Sequence, residues 1–85
     1  MSTPKLTLYT RPDCPPCDWL KAWLRDRNLE FEEYDVSTDK IAVFTLVRKY
    51  RSQSTPTLVI GDGEILIGFE PEKIEAAIAR QTVSR

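Results

Sequence analysis

Histidine is absent from the 85-residue chain, and cysteine occurs only twice, at Cys14 and Cys17. The first absence removes acyl-transfer dyads and triads that rely on an imidazole base. Two sulfurs also fall short of the four Cys or His ligands of a self-contained structural zinc site, so no metal site is expected. No stretch approaches the roughly 18 apolar residues of a membrane helix, and Met1-Ser2-Thr3-Pro4-Lys5 lacks the apolar core of a signal peptide. The expectation is a cytoplasmic protein with no membrane partner. Lysine and arginine number 12 against 13 acidic residues, and the net charge of -1 gives no pull toward nucleic acid. The length suits one domain, residues 1–85, and at this size folding buries only about 60% of the surface of the unfolded chain.

What is present is regular patterning. Lys5 to Thr10 alternates apolar and polar residues, which predicts a strand with Leu6 and Leu8 on one face. From Cys14 to about Arg27, Leu20, Trp23 and Leu24 recur at helical spacing. Leu29 to Val36, with Phe31, Tyr34 and Val36 among acidic residues, reads as a second strand. Ser37, Thr38 and Asp39 offer N-cap oxygens to a second helix ending near Arg51, whose stripe is Ile41, Phe44, Val47 and Tyr50. Thr57–Ile60 and Glu64–Ile67 are β-branched runs joined by Gly61-Asp62-Gly63, whose Asp-Gly pair suits a tight hairpin turn. Pro71 opens a third helix with Ile74, Ala77 and Ile78 on one face, and the tail from Gln81 to Arg85 reads as frayed. The order is β-α-β-α-β-β-α. It predicts an α/β fold in which a parallel β-α-β opening and the later hairpin share one sheet, with helices on both faces.

The two cysteines fall where the first strand hands over to the first helix. A helix N-terminus presents free N–H groups and a positive dipole, which stabilise a thiolate. Cys14 is therefore expected to be exposed and nucleophilic, and Cys17, one turn along, to resolve the mixed disulfide. Neither Pro15 nor Pro16 has an N–H to offer the Cys14 sulfur. Arg11 and the dipole are thus expected to carry more of the thiolate stabilisation, with Asp13 opposing them, and the prolines to stiffen the ring. A purely structural disulfide is a poor alternative, because closing so small a loop contributes only about 2 kcal/mol before strain. Half of a metal or cluster site completed by a second subunit is the other alternative.

Thr55-Pro56 precedes a strand at a place where a turn can hold a cis bond. Taken with "YTRPDCPPC" and "GFEPEKI", the segment "STPTLVI" resembles the glutaredoxin-like proteins of the thioredoxin superfamily in order and spacing, over roughly residues 5 to 78. The resemblance implies a thioredoxin fold, with a four-stranded mixed sheet and a cis-Pro56 facing the cysteines. It implies catalytic Cys14 and Cys17, and a substrate-binding set of Arg11, Pro15, Pro16, Gln53, Thr55, Pro56, Phe69 and Glu70. Thr55 would expose its backbone to an extended ligand, with Arg11 and Gln53 beside it as groove walls.

Glutathione-using glutaredoxins carry a Gly-Gly pair followed closely by Asp after the last strand. Gly68-Phe69-Glu70-Pro71 is more similar to the Gly-Phe-Arg-Pro of NrdH-redoxins, with Glu70 in place of Arg and Leu66 where a Trp is usual. The resemblance thus implies a monomeric dithiol oxidoreductase acting on protein disulfides, with no bound cofactor, re-reduced by thioredoxin reductase or by glutathione. A non-enzymatic iron-sulfur or metal-binding module is the competing reading. Phe69 is divided between a core and a partner-facing role, while Trp19 and Trp23 read as packing residues, with Trp19 able to border the site.

Overall fold

The structure, a computed structural model, describes residues 3–82. Its elements follow the order read from the sequence: β1 Leu6–Thr10, α1 Pro15–Asp26, β2 Glu32–Asp35, α2 Lys40–Arg48, β3 Thr57–Ile60, β4 Glu64–Ile67 and α3 Pro71–Gln81. The four strands form one mixed sheet in the order β2-β1-β3-β4, with β1 parallel to β2 and antiparallel to β3. This is the thioredoxin fold.

Alternation along β1 divides the core in two. Leu6 and Leu8 point to one face, where they meet Leu20 and Leu24 of α1, Leu58 and Ile60 of β3, and Ile74, Ala77 and Ile78 of α3. Tyr9 points to the other and packs with Val59, Ala42 and Leu46. Removing each large aliphatic side chain from water contributes roughly 1.5–3 kcal/mol, so the first face supplies most of the drive to fold.

Several boundaries depart from the sequence reading. The second strand is only Glu32–Asp35, not Leu29–Val36, because Leu29 and Phe31 pack on the α1/α3 core before sheet pairing begins and Leu29 N–H closes the end of α1 on Leu24 O at 3.0 Å. The anticipated α2 stripe is not the buried one: Ala42 and Leu46 face the sheet, whereas Ile41 is 79% and Phe44 62% exposed. Each residue turns a helix by about 100°, so a strict three-residue repeat drifts backward by about 60° per step. Tyr50, which does pack inward, does so from beyond the helix, which ends at Arg48 and not near Arg51. Asp39 is the N-cap, accepting from Ala42 N–H at 3.0 Å.

In the β3–β4 hairpin the left-handed residue is Gly61, at φ +65°, so the turn does not rest on the Asp62-Gly63 pair. A Cβ at position 61 would strike the Gln81 side chain. Gln81 is not frayed: it ends α3 and donates to Ile60 O and Glu64 Oε1 at 3.2 and 2.7 Å. Residues 83–85 of the tail lie outside the described residues.

Candidate active site

Thr10 ends β1, and Arg11, Pro12 and Asp13 carry the chain to α1. Asp13 adopts φ +56°, a left-handed conformation that Asp tolerates better than most residues. Cys14 is the N-cap of α1, Pro15 and Pro16 fill the first two helical positions, and Cys17 is the third. A disulfide joins Cys14 to Cys17 across a Cα–Cα distance of 5.2 Å. Cys17 N–H, the first amide left after the two prolines, points at Cys14 Sγ from 3.3 Å. Cys14 is less open than expected, at 7% exposed against 1% for Cys17, because the residues that follow it fold back as helix and a second loop covers it.

That second loop is Ser52–Pro56. Its Thr55-Pro56 bond is cis, Pro56 is buried, and the Thr55 hydroxyl donates to Cys14 Sγ at 3.7 Å. Ser52 Oγ and Thr57 Oγ1 meet at 2.8 Å, Thr57 Oγ1 donates to Ser54 O at 2.6 Å, and Ser54 N–H points at Ser52 Oγ from 3.3 Å. These internal bonds satisfy the buried hydroxyls of Ser52 and Thr57 at the two ends of the loop and hold Thr55 forward. The sequence points to Thr55 for its backbone, and the fold brings its hydroxyl to the cysteine as well. The available signal was the density of Ser and Thr in Ser52-Gln53-Ser54-Thr55-Pro56-Thr57, more hydroxyls than an ordinary turn requires.

Gly68 N–H donates to Pro56 O at 2.9 Å, which brings the start of the Gly68-Phe69-Glu70 segment beside the cis-proline. Phe69 is half-buried against the α1/α3 core. Trp19, read as a packing residue, is 57% exposed and tilts against Phe69 at a centroid distance of 6.4 Å, whereas Trp23 packs on the core beneath Arg27. Glu70 is the α3 N-cap position, exposed and paired with Lys73 at 2.9 Å.

Arg11 and Gln53 are exposed, and among the described residues no hydrogen bond or ion pair joins either to the cysteines. Pro15 is exposed and Pro16 half-buried. Two surface hollows, of about 470 and 270 Å³, are lined by residues 3–6 and 28–32 and by the β1/β2/α2 face; neither includes Cys14, Cys17 or Thr55. On β2, Glu33 accepts from Thr10 Oγ1 at 2.7 Å and from Lys21 Nζ at 3.1 Å. Partial burial raises its pKa, but these two partners outweigh that and hold it below the usual carboxylate value. Among the described residues no group of three or more Cys, His, Asp or Glu could hold a metal ion.

Sheet order, flanking helices and a disulfide at the start of α1 define a thioredoxin-fold redox protein. More narrowly, the chain belongs to the glutaredoxin family, whose profile matches residues 6–65. It is 31% identical over 84 residues to the Gene 56 protein of Mycobacterium phage D29, covering 99% of this chain and 92% of that protein. Among solved structures it is similar to the thioredoxin-like protein BC3987, with 47% identity, a TM-score of 0.80, and coverage of 85% of this chain and 97% of the other. It is also similar to the glutaredoxin-like protein NrdH-redoxin from Escherichia coli, with 28% identity, a TM-score of 0.74, and coverage of 95% and 99%. The Cys14–Cys17 pair in this fold supports a redox function.

Proposed function

We propose that the protein is a cytoplasmic dithiol oxidoreductase that reduces disulfides in protein substrates. The observation that carries this reading is the sulfur pair itself: Cys14 caps α1, Cys17 is one turn deeper and more buried, and the two already lie within disulfide distance. The Cys14 thiolate attacks one sulfur of the substrate disulfide, forming a mixed disulfide and releasing the other substrate sulfur as a thiolate. The Cys17 thiolate then attacks Cys14 Sγ, forming the intramolecular disulfide and releasing the second substrate thiolate. Two electrons pass to the substrate, and an upstream dithiol, or two molecules of a monothiol, returns them. No resident cofactor takes part in this cycle, and it is complete within a monomer.

The electron source divides into two reductants, and we favour thioredoxin reductase over glutathione. Glu70 places a carboxylate at the start of α3 and Pro71 removes its first N–H, so this helix end is poorly equipped to receive the anionic ends of glutathione. The likeness to NrdH-redoxin, a glutaredoxin-like protein with a thioredoxin-like activity profile, supports the same choice.

The test is NADPH oxidation coupled to reduction of a protein disulfide, with thioredoxin reductase in one arm and glutathione plus glutathione reductase in the other. Turnover in the first arm alone is expected. Turnover only with glutathione would overturn the choice of reductant, and silence in both would bring forward a cluster-binding role, read as colour and dimerisation after anaerobic reconstitution. Cys14→Ser should abolish turnover, and Cys17→Ser should accumulate a covalent complex with the substrate, visible on a non-reducing gel.

A further inference from the structure

A helix of this kind ordinarily offers several amides to an acceptor at its N-cap, and here the acceptor is a sulfur that must carry negative charge. Pro15 and Pro16 remove the first two of those amides. The third, Cys17 N–H, is shared: it lies 3.0 Å from Cys14 O and 3.3 Å from Cys14 Sγ. The next, Asp18 N–H, is directed to Cys14 O at 3.2 Å. From its own helix the sulfur therefore receives part of one hydrogen bond.

A second donor comes from the opposite wall. Thr55 Oγ1 lies 3.7 Å from Cys14 Sγ, within range for a hydroxyl donating to sulfur, and among the described residues it is the only side chain hydrogen-bonded to either cysteine. The loop behind it is fixed by the Ser52–Thr57–Ser54 bonds, by Ser52 N–H to Leu46 O at 3.1 Å, and by Gly68 N–H to Pro56 O. Charged groups on the neighbouring elements are Arg11 and Asp13 before the cysteine, Asp18 in the first turn of α1, Arg51 before the second loop, and Glu70 with Lys73 on α3. All are exposed, where water and salt screen them.

We propose that the Thr55 hydroxyl is a catalytic hydrogen-bond donor to Cys14 Sγ, replacing the helix amides that the two prolines remove. The inference rests on the dithiol reading given above. The bond strengthens when sulfur becomes a thiolate, so it stabilises Cys14 both as the nucleophile that attacks the substrate and as the leaving group expelled during re-reduction. Thr55 keeps its proton throughout, and no bond to it is made or broken.

The experiment is a pH titration of the thiolate ultraviolet absorbance of the fully reduced protein. Thr55→Val, which keeps the shape and deletes the hydroxyl, is expected to raise the Cys14 pKa by about one unit, a roughly tenfold smaller thiolate-to-thiol ratio. Thr55→Ser should titrate like the unaltered protein. Alkylation of all three at a pH where Cys14 is fully ionised should show that the sulfur is equally accessible, which a merely structural change would disturb. A Thr55→Val protein that titrates with the unaltered one overturns the proposal. Should Thr55→Val fail to fold, the Cβ chemical shift of Thr55 in the unaltered protein serves instead: it should follow the Cys14 titration, and an unmoved resonance overturns the proposal. None of these readings uses a substrate, so their failure is distinguishable from failure of the dithiol reading, which appears as undiminished turnover in Cys14→Ser.

Discussion

At Glu33 burial and hydrogen bonding act in opposite directions, and hydrogen bonding is the stronger. Partial shielding favours the neutral acid, but the Thr10 hydroxyl and the Lys21 ammonium favour the carboxylate and depress its pKa. A depressed folded-state pKa gives stability that is fully present above the unfolded value, here the ordinary 4.5, and is lost as pH falls through the lower folded value. Glu33→Gln should therefore cost about 1 kcal/mol at neutral pH, the upper range for a partly exposed pair, and the gap should narrow as pH falls below 4.5. Urea midpoints of both proteins at neutral and acid pH check this; a gap that does not narrow refutes it. Asp35, depressed by the Ser37 hydroxyl and amide, titrates in the same direction and remains in both proteins.

Among the elements, α2 tests how the sheet reads a helix. Leu46 faces the sheet and Phe44 faces water, so Leu46→Ala should cost about 2–4 kcal/mol and Phe44→Ala less than about 0.5 kcal/mol. Denaturant melts of the two variants decide it, and a reversed order would restore the three-residue stripe. The start of α1 yields a second expectation. Pro16→Ala returns an amide to the second helical position, so the Cys14 pKa should fall by about half a unit or more; an unchanged thiolate titration would mean that this amide does not reach the sulfur. The elements differed in how plainly the sequence announced them. β3, β4 and the start of α3 carry their own boundary signals, in β-branched runs, Gly61-Asp62-Gly63 and Pro71, and these were legible; the end of α3 was not, because Gln81 is held by Ile60 and Glu64, distant in sequence. β2 and the phase of α2 were not, because an edge strand and a half-covered helix are set by what packs on them. Cys14 and Cys17 were legible from spacing alone. The Thr55 hydroxyl was not, since it reaches Cys14 from 41 positions away in sequence and only the folded loop gives it a direction.

Across the whole molecule, the hairpin turn gathers distant parts of the chain. Gly61 N–H donates to Lys5 O at 2.8 Å, Gln81 bonds Ile60 O and Glu64, and Arg80 pairs with Glu64. Gln81→Ala should remove about 1 kcal/mol and lower the melting temperature by roughly 4–8 °C. The Cys14 titration should stay unchanged, because the cysteines lie at the far ends of β1 and α3 from this turn. A calorimetric scan and the thiolate titration check both halves; a shifted titration would mean that the turn and the site are coupled. Lys5 and Gln81 thus share one anchorage, separated from the sulfurs by the five residues of β1 and the eleven of α3, each about 16 Å long. A tether or label carried by the exposed Lys5 side chain at this pole therefore leaves the chemistry at the other unshaded.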